Sequence, residues 1–343
     1  MDKIILFKSS DKKKIVNSRA GETKFGEHVK HLTNSRNIYE QLVKIDVDYV
    51  IFGIPEDIGV FANYGNIGTS SAYNEVIKVL LNTQNNNYNK AEKVLILGYL
   101  DFSKEQKVLA SLDQTKISHI KKVRKLVEEI DKSVTKLVHD IIKAGKTPIV
   151  IGGGHNNAYG NIKGTALALN QKINAINFDA HTDFRKEEGR HSGNGFSYAF
   201  AEEFLDKYFI FGIHENYASQ IIINKIKKLK KYVRYNTYES IAIRHELKFK
   251  KEIQNALSFV YNQPYGIEID CDAIEGIASS AMTPTGFSTN KTREFVYTVS
   301  AHKNAKYLHI CEAAPSLEGK KRRKQTAKIV SYLITDFLRA HKK

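Results

Sequence analysis

Residues 173–183 read INAINFDAHTD, an apolar run followed by two carboxylates and an imidazole at alternate positions. The run has the length and composition of a buried β-strand. Side chains alternate between the two faces of an extended chain, so Asp179, His181 and Asp183 project to one side if the extended conformation continues past the strand. An Asp at a strand end is also a common helix cap or turn residue. This motif alone therefore leaves a metal site and a structural turn both open.

Two further clusters repeat the pattern and decide between these interpretations. GGGHNN (152–157) follows the apolar run TPIVI, and DCD (270–272) follows YGIEI. Four carboxylates at close range cannot all stay ionised without a cation, so the three clusters together predict two divalent metal ions. Imidazole and carboxylate ligands without a thiolate favour manganese, with zinc, iron, cobalt and nickel as alternatives. The predicted ligands are His155, Asp179, His181, Asp183, Asp270 and Asp272.

Alternation of apolar runs and helical patterns predicts the fold class. The clearest helix covers 117–144, where apolar residues recur at steps of three and four before Gly145. Strands alternating with helices indicate an α/β protein with a mainly parallel sheet covered on both faces. Ligands of such sheets bind beyond the carboxyl ends of the strands, where all three clusters fall. The predicted strands are 47–53, 94–98, 147–153, 173–178, 208–213, 265–270 and 307–311.

Composition narrows the function classes. The chain has 343 residues, which one large domain spanning 1–343 can account for, and no apolar stretch long enough to span a bilayer, so we expect a cytoplasmic protein. Cys271 and Cys311 form no CxxC pair and read as reduced core residues. A nucleophilic role for Cys311 would need a neighbouring base, and the sequence pattern contains none.

The net charge of +16 raises the question of a nucleic-acid partner. Its densest run is KKRRK at 320–324, and 223–232 is also rich in lysine. Neither segment has the interleaved aromatic residues of RNA-binding surfaces, so we interpret both as solvated helix faces. Nucleic acid is therefore not the expected partner, although the charge could steer an anionic substrate.

The set of motifs, in this order, resembles the ureohydrolase superfamily of arginase, agmatinase and formimidoylglutamase. The resemblance covers most of the chain and implies a three-layer α/β/α fold with a sheet of about eight strands, two Mn²⁺ ions and a trimeric or hexameric homo-oligomer. It implies one metal on His155 and Asp183, the other on His181 and Asp272, and bridging by Asp179 and Asp270. The matching segments are GIPEDIGVFANYGNIGTSSA (53–72), GGGHNN, NFDAHTD, IDCDAI, MTPTG and CEAAPSL.

The activity implied by the resemblance is hydrolysis of a carbon–nitrogen bond in a linear amidine. Asp183 would take a proton from the attacking water, and His191, in GRHSGNGF, would deliver one to the leaving amine. Glu312, in CEAAPSL, would receive the amidinium or guanidinium group of the substrate. From the sequence pattern alone, without the resemblance, we would interpret His191 as an exposed loop histidine and Glu312 as a capping or solvent-facing acid.

Departures from the arginase pattern indicate the substrate. Gly154 replaces an aspartate of arginases, and Arg185 replaces an asparagine; both features resemble formimidoylglutamase. A guanidinium suits the carboxylates of N-formimidoyl-L-glutamate, and Arg190 could add to it. We therefore predict hydrolysis of that compound to L-glutamate and formamide, a step of histidine catabolism.

Three alternatives stay open from the sequence. A guanidino substrate such as arginine, agmatine or guanidinobutyrate would release urea, and a non-catalytic binding protein could retain the same scaffold. Arg185 could instead be a surface residue paired with Glu187 or Glu188. Glu268 replaces a residue that is usually small in the family, and we expect it to be a buried acid behind the metal site or the partner of a basic side chain.

Overall fold

A computed structural model of the protein describes residues 3–89, 91–319 and 324–342. Within these residues the strands form one sheet in the order β1-β3-β2-β4-β9-β8-β5-β6-β7. All neighbouring pairs are parallel except β1 with β3, which is antiparallel. The strands are β1 (Ile4–Leu6), β2 (Tyr49–Gly53), β3 (Val94–Leu100), β4 (Thr147–Ile151), β5 (Ile173–Phe178), β6 (Leu205–Ile213), β7 (Val233–Thr237), β8 (Tyr265–Asp270) and β9 (Ala305–Cys311).

Helices connect the strands and flank the sheet. No helix in the described ranges is both long and apolar enough to cross a membrane. Residues 320–323 of the basic run lie outside the described ranges. The α-helices are α1 (Ser9–Ile15), α2 (Phe25–His28), α3 (Ile38–Lys44), α4 (Ile58–Ala62), α5 (Ala72–Leu80), α6 (Ser103–Leu109), α7 (Ile117–Lys143), α8 (Asn157–Leu169), α9 (Gly195–Ala201), α10 (Gln220–Lys228), α11 (Phe249–Val260), α12 (Thr289–Ser300) and α13 (Gln325–Ala340).

Alternate residues of the central strands pack into different cores, which makes the fold three-layered. Ile149 and Ile151 of β4 pack with α13 residues such as Leu333, whereas Val150 packs with α7 residues such as Val127. Because both faces of these strands are covered by an apolar core, both sets of alternate residues are hydrophobic, and the strand sequences are continuous hydrophobic runs. The predicted α/β/α architecture is confirmed.

All seven predicted strands are present. The sheet has nine strands within the described residues, where about eight were expected. The prediction missed β1, which has three residues, and β7, an edge strand of sequence VRYNT in which only Val233 and Asn236 are buried. The apolar run of β1 is too short to mark a central strand, and β7 is mostly polar. The predicted helix at 117–144 is α7.

Four adjacent central strands, β4, β9, β8 and β5, run parallel, so their carboxyl ends meet at one edge of the sheet. His155 follows β4, Glu312 follows β9, Asp270 ends β8, and Asp179 follows β5. The fold thus gathers residues that are more than a hundred positions apart in the sequence.

Candidate metal centre and cleft

The predicted metal ligands converge into two groups of atoms at this edge. Within each group the ligand atoms lie within 4.8 Å of one another. Asp270 belongs to both groups, as a bridging ligand must. The first group is His155, Asp179, Asp183 and Asp270, and the second is His181, Asp270 and Asp272.

The Nδ1 atom of His155 is the centre of the first group. It lies 2.8 Å from Asp183 Oδ2, 3.2 Å from Asp270 Oδ2 and 3.3 Å from Asp179 Oδ2. The imidazole is fully buried, and so is Asp179. One nitrogen and three carboxylate oxygens therefore point at a common centre.

His181 plays the corresponding part in the second group. Its Nδ1 lies 3.6 Å from Asp179 Oδ1 and 4.0 Å from Asp272 Oδ2. Asp179 therefore turns one oxygen towards each histidine, which suits a bridging position. The ring of Tyr217 stacks on His181 at 5.1 Å with an interplanar angle of 18°.

The metal-ligand side chains that follow β5 and β8 are brought together by tight turns and not by a continuation of the extended strands. The chain bends after Phe178, and the Asp179 carboxylate accepts a 2.6 Å hydrogen bond from the His181 N–H. Asp270 likewise accepts a 2.7 Å bond from the Asp272 N–H at the start of a 3₁₀ turn. The condition that extended backbone continues past the strands is not met, because each aspartate caps its own turn.

Two non-glycine residues of the centre have a left-handed backbone. Asp183 has φ 43° and Glu312 has φ 58°. This region is unfavourable for residues with a Cβ atom, and such strain concentrates at functional sites. The surrounding packing holds both carboxylates at positions that a relaxed backbone would not give.

Electrostatics at the centre fit cations. Burial raises the pKa of Asp270 well above its usual range, and the neighbouring Asp272 raises it further. Burial alone would lower the pKa of His181, but Asp179 holds it well above its usual value. The cluster thus binds excess protons strongly, and divalent cations satisfy the same buried negative charge. The residues present therefore fit a pair of divalent metals.

Glu312 lies beside the centre, buried but lining the cleft. Its carboxylate accepts a 2.6 Å hydrogen bond from the His155 N–H and another from the Ser280 hydroxyl. Burial, and then the nearby Asp272, raise the pKa of Glu312 to about 8. These contacts fix the orientation of the carboxylate.

The cleft above the centre has a volume of about 660 Å³. Four of the six predicted metal ligands line it, and Arg185 and Lys186 face the same space. Arg185 is half exposed; it donates a 2.9 Å bond to Asn63 Oδ1 and lies 3.5 Å from Glu188. The cleft thus joins an acidic centre to two cationic side chains. The metal ligands that line it are His181, Asp183, Asp270 and Asp272.

The sequence interpretation did not single out three residues of this cleft. Lys186 sits in a charged loop that resembles ordinary surface, and Tyr217 belongs to no motif. Asn63 lies within the glycine-rich segment 53–72, so the resemblance had indicated its neighbourhood but not its contact with Arg185.

His191 is fully buried and does not line the cleft, whereas Ser192 and Gly193 do. Its Nδ1 accepts a 3.1 Å bond from the Gly193 N–H, and its Nε2 lies 3.6 Å from Glu188 Oε1. Burial, and then the nearby Arg185, lower the pKa of His191 to about 3. The imidazole is therefore uncharged near neutral pH.

Arg190 is turned away from the cleft. It is 2 % exposed and donates a 2.8 Å bond to Asp131, with a further 2.9 Å bond to the Asn156 carbonyl. Its guanidinium also lies between the rings of Tyr159 and Tyr198, at 4.8 and 5.0 Å. These contacts tie the His191 loop to α7 and α8, which leaves Arg185 and Lys186 as the cations in the cleft.

Known proteins resemble this chain in sequence. The model of the arginase family matches residues 47–339. Formimidoylglutamase of Hahella chejuensis is 28% identical over 189 residues, which are 52% of this chain and 51% of that protein. The enzyme of the same name from Streptococcus gordonii is 27% identical over 192 residues, or 54% and 52% of the two chains. The matched part of the chain thus spans about half the length of these curated relatives.

Solved structures share the fold over almost its whole extent. Formimidoylglutamase from Bacillus subtilis superposes with a TM-score of 0.72 at 20% identity, covering 94% of this chain and 93% of that one. A Mn²⁺-containing formiminoglutamase from Trypanosoma cruzi gives a TM-score of 0.71 at 17% identity, covering 92% and 97%. At these identities the likeness establishes the fold.

Proposed function

This chain belongs to the arginase family, and we propose that it hydrolyses N-formimidoyl-L-glutamate to L-glutamate and formamide. One observation carries the proposal: a single cleft is lined by four of the six predicted metal ligands, by the buried Glu312 carboxylate and by the cations Arg185 and Lys186. The substrate has a complementary set of charges, with an amidinium on its α-nitrogen, one carboxylate on the neighbouring carbon and a second at the end of the side chain.

The acidic part of the cleft suits the amidinium. Glu312 is fixed by the His155 N–H and the Ser280 hydroxyl, and the positive charge of a bound amidinium favours its ionised form. It can then hold the planar cation by charge-assisted hydrogen bonds with little loss of side-chain entropy. Asp183 lines the cleft and can take a proton from the attacking water.

The cationic part suits the carboxylates. Arg185 is held towards the cleft by Asn63 and lies 3.5 Å from Glu188, and its guanidinium is half exposed, so a substrate carboxylate could pair with it by displacing Glu188. Lys186 adds a second positive charge. A cationic substrate without a carboxylate, such as agmatine, would be repelled by the same two side chains.

We propose manganese as the metal, with the ligand pairing that the resemblance implies. When bound, such ions make coordinated water acidic enough to act as a nucleophile near neutral pH. Asp270 belongs to both ligand groups, and Asp179 turns an oxygen to each histidine, which supports their role as bridging ligands.

Proton delivery by His191 stays a prediction. Its imidazole is uncharged near neutral pH, so it would have to take up a proton before it could deliver one. Glu188 lies 3.6 Å from its Nε2 and lines the cleft, so Glu188 would carry the proton between His191 and the leaving amine.

A panel of substrates tests the proposed function. The manganese-loaded protein is incubated with formimidoylglutamate, arginine, agmatine and guanidinobutyrate, and release of glutamate, urea and formamide is measured. We expect glutamate and formamide in equal amounts from formimidoylglutamate, and no urea. Urea from a guanidino compound would overturn the substrate while keeping the chemistry, and no product from any compound would overturn the function.

A further inference from the structure

Glu268 is a carboxylate buried beneath the metal centre. It lies on β8 directly opposite His309 of β9 and is 0 % exposed. One of its oxygens accepts a 2.7 Å bond from the Tyr307 hydroxyl, and the other contacts His309 Nδ1 at 2.5 Å. Both partners are buried as well, so the carboxylate is held rigidly.

The same carboxylate faces the back of the predicted metal ligand His155. His155 directs Nδ1 towards Asp179, Asp183 and Asp270, while its Nε2 lies 3.5 Å from Glu268 Oε2. This Nε2 is buried and has no closer hydrogen-bond partner among the described residues. The contact is slightly longer than an ordinary hydrogen bond.

A neutral imidazole has one N–H, and a nitrogen that binds a metal must be free of it. Binding through Nδ1 therefore requires the proton on Nε2, the atom that faces Glu268. A carboxylate at this place favours that tautomer, orients the ring and makes the nitrogen a stronger ligand. We propose that Glu268 is a positioning residue for His155 and that the Tyr307–Glu268–His309 set strengthens one of the two metal positions. This inference rests on the proposed function only in requiring the metal centre.

Glu268→Gln is the decisive variant, because it keeps the size of the side chain. Glutamine is uncharged and has one acceptor oxygen, so it cannot replace both Oε1, which accepts from Tyr307, and Oε2, which faces His309 and His155. Isothermal titration of the metal-free protein with Mn²⁺ gives both affinities without any substrate. We expect the dissociation constant of one of the two ions to rise about 10- to 100-fold, with the other nearly unchanged.

Glu252→Gln is the matched control. Glu252 is also buried and bonds Asn236 and Asn255, but it lies on α11 and contacts no residue of the centre. It should leave both affinities unchanged. If Glu268→Gln does not fold, Tyr307→Phe provides the test, because it frees one oxygen of Glu268 while keeping the ring; we expect a several-fold loss at the same position.

Three results would overturn the inference. Unchanged affinities in both Glu268→Gln and Tyr307→Phe would show that the carboxylate does not act on His155, and an equal loss in Glu252→Gln would reduce the effect to general destabilisation. A third ion that depends on Glu268 would assign it to the separate group His155, His309 and Cys311. If the unsubstituted protein binds no Mn²⁺, the proposed function fails together with this inference, and that result is distinct from the other three.

Discussion

Two clefts of this molecule carry opposite charge, and the smaller one holds the candidate metal centre. The metal cleft has a volume of about 660 Å³, and a basic groove beside β7 has about 1210 Å³. The cationic residues of the basic groove are Lys207, Lys227, Lys230, Lys231 and Arg234.

The clefts differ in how their charges are held. The aspartates of the metal centre are buried in two groups, each with its ligand atoms within 4.8 Å of one another, and burial, followed by the charges of Asp272 and Asp179, raises the pKa of Asp270. Most cations of the basic groove are exposed, and the Arg234 guanidinium rests on the ring of Phe259 at 4.4 Å. Exposed charges are solvated at little cost, whereas buried charges of one sign need a partner. In this molecule, buried charges of one sign without a counter-charge mark the candidate metal site better than the volume of a cleft or the number of its charged residues does.

The largest expected effect comes from Asp270→Asn. The residue belongs to both ligand groups, so this change should weaken both metal positions and lower kcat/KM for formimidoylglutamate by roughly 10³-fold or more, since activation of water by metals supplies several kcal/mol. Steady-state assays of glutamate release measure it. The double change Lys227→Gln and Lys231→Gln in the basic groove should alter kcat/KM less than about twofold. Comparable losses of kcat/KM in Asp270→Asn and in the double lysine variant would show that the basic groove matters to the reaction as much as the metal centre does.

Arg185→Gln should produce the next largest effect. Loss of a charge-assisted bond to a substrate carboxylate should raise KM about 10- to 100-fold with a smaller change in kcat. Lys172→Gln is the control, because Lys172 pairs with Glu203 outside the cleft. An unchanged KM in Arg185→Gln would show that Arg185 is a surface residue that does not bind the substrate.

His191 gives a prediction on pH. Its pKa is about 3 in the folded protein, below the ordinary value of 6.5, so the folded state takes up fewer protons than the unfolded state. The corresponding stability is present above pH 6.5 and is lost as the pH falls towards 3. Denaturant unfolding of the metal-free protein between pH 7 and 4 should show a smaller loss of stability in His191→Gln than in the unsubstituted protein. Identical slopes would contradict a buried neutral imidazole.

The smallest expected effect lies in the basic groove. Arg234→Gln removes the nearer of two cations over the ring of Phe259, the other being Lys207 at 5.3 Å, and should lower the free energy of unfolding by about 0.5–1 kcal/mol. Metal binding and kcat/KM should not change. A loss of activity there would show that the basic groove takes part in the reaction.

Much of the fold, and the convergence of the proposed ligands at one edge of the sheet, could be predicted from the sequence, because strand-end motifs carry strong local signals. The apolar runs before His155, Asp179 and Asp270 indicate central strands whose ends must meet. Alternation could not indicate the turns that place Asp272 and His181, since these depend on aspartates that bond their own backbone.

The sequence could not predict which side chains of the 185–193 loop are buried and which line the cleft. His191 and Ser192 are neighbours in a glycine-rich loop, yet Ser192 lines the cleft and His191 does not. Arg185 and Arg190 are five positions apart, yet the first faces the cleft and the second pairs with Asp131 on α7. These differences arise from packing against helices that are distant in the sequence.

Titration of the metal-free protein with Mn²⁺, while glutamate release from formimidoylglutamate is followed, tests the central claim most directly. We predict that activity rises with added metal and reaches its plateau at two Mn²⁺ per chain, because the carboxylates of the centre form two groups that share Asp270. A plateau at one ion per chain, or no glutamate at any loading, would contradict a two-metal amidine hydrolase.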